Sequence, residues 1–198
     1  CQYLIYEDKM QLEIFHQELQ SAAKENLIAI VKEKEGDPLR RAAAVRVLAE
    51  KYLEKADPSE KKSLEDTLRT AFRRGGSSFV RIEVASALCR ANRDSYFPDM
   101  VPFLIRRLDN ENSVIAQLAF TRLNEIINNG KASTKEGNAV LNVAKGIIIR
   151  NIDISGKRPE EYFAKELDLI RWAIGILGDG AYARLPRNII LLLKREEK

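Results

Sequence analysis

Four stretches of this chain carry a small or β-branched residue followed four positions later by Leu. One column holds Ala44, Val84, Ala119 and Ala173, and the next holds Leu48, Leu88, Leu123 and Leu177. Residues four apart share one face of an α-helix. A small residue there lets a neighbouring helix approach, and the Leu fills the space beside it. The intervals between successive columns are 40, 35 and 54 residues (44 to 84, 84 to 119, 119 to 173). A recurring unit of this length is read as one helix pair that stacks on the next.

The rest of the chain has the same helical period. Leu12, Phe15, Leu19, Ala22, Ala23, Leu27 and Ile30 fall three or four apart on one face. Helix starts are signalled by Asp37-Pro38, Asp57-Pro58 and Pro159, and by Ser133-Thr134 with Glu136. Breaks are expected at Gly75-Gly76-Ser77-Ser78, at Asp94 to Pro98, at Asn110 to Ser113, at Asn128-Asn129-Gly130 and at Gly178-Asp179-Gly180. The expectation is about nine helices, the last from about Ala183 to Lys194, and no strand.

The clearest unit runs from Phe97-Pro98-Asp99-Met100-Val101-Pro102 to Leu108-Asp109, turns through Asn110 to Ser113, and continues as Val114 to Leu123. With the Ala and Leu columns, it resembles the HEAT and HEAT-like repeat family: a first helix with Pro near its start, an Asp/Asn turn, and a second helix. The resemblance extends from about Leu27 to Lys194. It implies an all-α, right-handed α-α superhelix of about four helix pairs with capping helices. Residues 1–198 are then one domain, with an N-terminal capping region at 1–36, repeats over 37–198 and an irregular loop at 151–158. The Trp, Leu-Gly and Tyr pattern of tetratricopeptide units does not recur, and Trp172 is the only Trp.

Composition narrows the chemistry. A single His excludes sites that need two imidazoles, such as H-E-x-x-H zinc hydrolases, and two Cys exclude a disulfide framework or a Cys-rich zinc site. Cys89, one residue after a column Leu, reads as a small core residue. His16 beside Phe15 reads as a boundary residue. Gly175, Gly178 and Gly180 end a helix and do not join a strand to one, so they read as a C-cap and not a phosphate loop. Gly75-Gly76 before Ser77-Ser78 reads as termination and capping ahead of an anion site. The carboxylates Glu7-Asp8, Glu33, Glu35, Glu65-Asp66, Glu160-Glu161, Glu166 and Asp168 sit close to Lys or Arg, as on solvated helix faces. No catalytic residue, metal ligand or cofactor is expected.

The arginines recur with the repeat: Arg40, Arg41 and Arg46, then Arg69, Arg73 and Arg74, then Arg81, Arg90 and Arg93, then Arg106, Arg107 and Arg122. Stacked repeats convert such residues into stripes. Two outcomes are open. The arginines make ion pairs between repeats and at helix C-termini, or they present a basic surface to phosphate or an acidic protein. The net charge of +4 is small for a nucleic-acid binder.

The resulting expectation is a non-catalytic, monomeric module that binds or scaffolds another protein. Its contact residues are Arg46, Arg90, Arg93, Arg122 and Glu125 on second helices, with Ile152 and Ile154 in the 151–158 loop. Two alternatives follow from resemblance. One is a nucleic-acid-binding module of the HEAT-like DNA glycosylase type with a basic concave face. The other is a HEAT-like lyase or chromophore chaperone, which requires a deep pocket with a buried acid.

The longest aliphatic runs, Leu27 to Val31 and Ile189 to Leu193, are far short of the ~20 residues a spanning helix needs. No signal-peptide pattern opens the sequence. The sequence begins with Cys1. In this one respect it resembles bacterial lipoproteins, whose signal peptide is removed just before a Cys that then carries the lipid. That resemblance implies lipid attachment at Cys1 and a lipid-anchored place in the bacterial cell envelope or periplasm. A boundary that falls at Cys1 by chance leaves a cytoplasmic location open.

Overall fold

Capping side chains and prolines set the helix starts. Asp37 accepts hydrogen bonds from the Leu39 N–H (2.8 Å) and the Arg40 N–H (3.4 Å) ahead of Pro38, and Asp57 accepts from the Glu60 N–H (2.8 Å) ahead of Pro58. Asn112 accepts from the Val114 N–H at 3.0 Å. Ser133 and Glu136 form a reciprocal capping box. In a computed structural model, which describes residues 2–74, 76–108, 110–128, 133–152 and 156–195, the fold is all-α. No strand occurs among the described residues.

The helices are α1 (Gln2–Leu19), α2 (Lys24–Lys32), α3 (Pro38–Leu48), α4 (Pro58–Arg73), α5 (Ser78–Ala91), α6 (Arg93–Arg107), α7 (Ser113–Asn128), α8 (Thr134–Asn151), α9 (Pro159–Tyr162), α10 (Ala164–Leu177) and α11 (Arg187–Lys194). A π-helical turn, Ala49–Leu53, continues α3, and a 3-10 segment, Asp179–Arg184, links α10 to α11. The Asn129-Gly130 and Gly75 signals lie outside the described residues.

Four boundaries differ from the expectation, the first being that the face from Leu12 to Ile30 is not one helix but is divided at residues 20–23 between α1 and α2. Asp94 to Pro98 is no break: α6 runs through it, with Pro98 and Pro102 both inside the helix. Asn92 supplies the start one step earlier, accepting from the Ser95 N–H. The prolines lie four apart on one face, so the missing N–H groups fall on the same side. The segment from Pro159 is two helices, divided at Phe163, whose ring is fully buried. The last helix begins at Arg187, because Pro186 cannot continue a preceding helix.

Helices α3, α5 and α7 lie side by side in chain order, with α2 and α4 packed behind α3 and α5. Ala44, Val84, Ala119, Leu48, Leu88 and Leu123 are all fully buried along this row. The fourth column belongs to α10, which packs chiefly on α8, and α8 packs in turn on α6. Ala173 is fully buried there and Leu177 partly so. Helix α1 packs on α3 and also touches α7. It therefore crosses the row, while α2 is the helix paired with α3.

The α8–α10 contact is close. A Cβ on Gly137 would meet Leu177 Cγ at 3.2 Å and Ile176 Cγ2 at 3.3 Å, whereas a Cβ on Gly146 would meet nothing within 4 Å. Gly146→Ala should stabilise the fold by about 0.5–1 kcal/mol through helix propensity. Gly137→Leu should destabilise it by about 1–3 kcal/mol through overpacking. Urea unfolding of the two variants checks both signs.

Candidate binding groove

The row of α3, α5 and α7 carries a polar seam on the side that α1 crosses. Its centre is Glu83, a carboxylate set in the apolar run from Phe79 to Ala85 of α5. Its side chain is 5% exposed, and its partner Arg122 from α7 is 7% exposed. The Arg122 Nε–H donates to Glu83 Oε1 at 2.9 Å, and the Nη1 group donates to both oxygens of Glu125 at 2.9 and 3.0 Å. Burial pushes the Glu83 carboxyl up from its ordinary value, and the Arg122 charge pulls against that shift. Burial would weaken the Arg122 charge, but the carboxylates of Glu83 and Glu125 outweigh it and hold the guanidinium protonated.

A second cluster sits one helix away. Arg46 on α3 donates from Nε to Glu50 Oε1 at 2.9 Å and lies 3.6 Å from Glu13 of α1. His16 Nε2 of α1 is 3.1 Å from Glu50 Oε2. Glu50 belongs to the π-helical turn, a feature frequent at functional sites. Burial of Glu50 would raise its pKa, but the His16 hydrogen bond and the Arg46 charge together hold it below the ordinary 4.5.

Between α1 and the row lies an open groove of about 230 Å³. Leu12, Val114 and Leu118 supply apolar lining, and Lys9, Glu13, Arg46, Gln117, Thr121 and Glu125 supply polar lining of both signs. Glu83 and Arg122 form part of its floor. The groove is open, and its buried acid is paired with an arginine. A group of His, Cys, Asp and Glu suited to a metal ion does not occur among the described residues.

Of the residues expected from the sequence, Arg46, Arg122 and Glu125 come together in this groove. Arg90 borders the same cluster, lining a small recess with Arg46, Glu50, Glu83, Arg122 and Glu125, and it also lines a recess of about 140 Å³ with Arg93, Glu54, Cys89 and Ile126. Arg90 pairs with Glu54 at 2.7 Å. Arg93 makes a two-pronged pair with Glu136 at 2.8 and 2.7 Å, donates to the Ile126 carbonyl, and covers the Phe97 ring at 4.2 Å. Cys89 is buried, and burial pushes its thiol up to about 12, so it is not a nucleophile at neutral pH. Ile152 is partly buried against the core. Ile154 and Cys1 lie outside the described residues, and no described helix is long and apolar enough to cross a membrane.

Glu83, Glu50 and His16 were not expected at the site. Glu83 had a signal, a lone carboxylate in an apolar helical run. Glu50 and His16 had none, because their meeting depends on where α1 lies. Comparisons with known proteins add nothing to this geometry: no family model, no curated protein and no solved structure matches the chain.

Removing one member of a buried pair strands the other. Arg122→Met should therefore destabilise the protein by about 3–5 kcal/mol, while Glu83→Leu combined with Arg122→Met should recover most of that loss. Denaturant midpoints of the single and double variants measure the difference. Glu50 has a folded pKa below its unfolded one. Its contribution is present above the ordinary 4.5 and lost as pH falls through the lower folded value. Glu50→Gln should flatten this acid limb of the stability–pH curve while changing its slope little at neutral pH.

Proposed function

We propose that this chain is a HEAT-like solenoid that acts as a non-catalytic module and binds a segment of another protein in the groove between α1 and the α3–α5–α7 row. The side-by-side order of α3, α5 and α7, with α2 next to α4 and α6 next to α8, supports the repeat architecture. The observation that carries the functional reading is the lining itself. The groove is open, smaller than the ~300–1,000 Å³ usual for small-molecule sites, and mixes apolar side chains with charges of both signs. Such a surface suits a peptide chain, whose own side chains alternate in character.

The arginine pairing supports protein over nucleic acid as the occupant. Arg46 faces Glu13 and Glu50, and Arg122 faces Glu83 and Glu125. A guanidinium held between two carboxylates has little net charge left for a phosphate backbone, whose binding depends on uncompensated cations.

A photo-crosslinking residue placed at Gln117, on the groove, should trap one defined protein in cells of the source organism. The same residue at Asn188 on α11 should trap none above background. Duplex DNA should not bind at low salt. Equal labelling at both positions, or DNA binding with a steep salt dependence, would contradict the proposal.

A further inference from the structure

The arginines of the repeat are not all paired. Arg46, Arg69, Arg90, Arg93, Arg122, Arg171 and Arg195 each have a carboxylate partner. Arg40, Arg41, Arg73, Arg74, Arg81, Arg106 and Arg107 have none among the described residues. Of these seven, Arg81, Arg106 and Arg107 are close enough for the charges of Arg81 and Arg106 to act on Arg107. Arg81 is on the first turn of α5, and Arg106 and Arg107 are on the last turn of α6.

Two phenylalanines gather Arg81 and Arg107, while Arg106 is exposed and donates from Nε to the Pro102 carbonyl at 3.3 Å. Phe72 of α4 and Phe103 of α6 meet edge to face, with ring centroids 4.9 Å apart and planes at 70°. The Arg81 guanidinium carbon lies 4.5 Å from the Phe72 centroid and 4.8 Å from that of Phe103. The Arg107 guanidinium carbon lies 4.4 Å from the same Phe103 ring. The Nε–H groups of Arg81 and Arg107 are buried and make no hydrogen bond.

This arrangement is electrostatically incomplete. Aromatic faces attract cations but do not neutralise them. Burial, then the charges of Arg81 and Arg106, draw the Arg107 pKa down, which is the mark of like charges held together. The first turn of α5 contains no Asp or Glu, so the positive end of the helix adds to the same field. Contact with the rings restrains the two guanidiniums in advance, and so lowers the conformational cost of engaging an anion.

The geometry points to an oxyanion site of the phosphoryl class at Arg81 and Arg107 on the Phe72–Phe103 platform, with Arg106 at its edge, separate from the groove. Guanidinium forks match the oxygens of a tetrahedral oxyanion. A dianion offsets more of this cluster's charge than a single carboxylate does. The ligand is either free phosphate or a phosphorylated side chain of a partner.

Inorganic phosphate titrated against chloride at matched ionic strength tests the site, read by amide NMR shifts of residues 77–82 and by thermal stability. Saturable shifts are expected, and Arg81→Gln and Arg107→Gln should each weaken binding on the order of tenfold, the loss of one charge-assisted contact. Arg81→Lys keeps the charge but not the fork, so it should bind between the parent and Arg81→Gln. Arg187→Gln, on the exposed start of α11, should bind like the parent. Phosphate also stabilises proteins generally by exclusion from their surface, and that unsaturable part should persist in Arg81→Gln/Arg107→Gln. A phosphoserine peptide that binds tighter than inorganic phosphate assigns the site to a modified partner, and equal affinity assigns it to the free anion. The proposal is overturned by an effect that never saturates, by arginine variants that bind like the parent, or by an unphosphorylated peptide that binds as tightly as its phosphorylated form.

Discussion

The close approach of α3, α5 and α7 is the constraint from which the rest of the structure follows. Ala44, Val84 and Ala119 permit it, and Leu48, Leu88 and Leu123 seal it; all six are fully buried. Once the three helices lie side by side, Glu83 of α5 and Arg122 of α7 are forced into contact in a dry place. A buried pair of this kind contributes little net stability over an apolar pair, but each member is costly without the other. It therefore acts more as a register device between adjacent helices than as a source of stability. Its link through Glu125 to the groove gives the same residues a second position, on the floor of a surface open to a partner.

Ion pairs between helices distant in sequence recur along the molecule. Arg90 reaches Glu54, Arg93 reaches Glu136, Lys24 reaches Glu60 and Arg195 reaches Glu160. The pair at Glu136 is the most economical, because one carboxylate caps α8 and also grips Arg93 of α6. Part of the charge-rich composition is thus wiring between neighbouring helices. The mild net charge of +4 fits this arrangement better than it fits a broad basic face. Arg81 and Arg107, held on one aromatic platform with no carboxylate partner among the described residues, depart from that pattern.

Local chemistry made much of the fold legible in the sequence. Asp37, Asp57, Asn112, Ser133 and Glu136 cap helices because a short polar side chain can meet an unsatisfied N–H two or three residues on. The Ala and Leu columns identified the buried faces because helical spacing is fixed. The errors have equally local causes. Pro98 and Pro102 looked like a break, yet tertiary packing of Phe97, Val101 and Leu104 holds α6 together across them. The site was only half visible. Arg46, Arg122 and Glu125 could be chosen from their column positions. Glu50 and His16 could not, because no spacing rule says that α1 crosses the row, and a contact 34 residues apart leaves no local trace.

The most direct test of the groove as the partner's seat is hydrogen exchange, measured on the free protein and on its complex with the partner trapped at Gln117. Occupation of the groove predicts slowed exchange along both walls, in α1 around 9–16 and in α7 around 114–125, with α11 unchanged. Slowing confined to α8, α10 or α11, with α1 and α7 exchanging as in the free chain, would place the partner elsewhere and contradict the account.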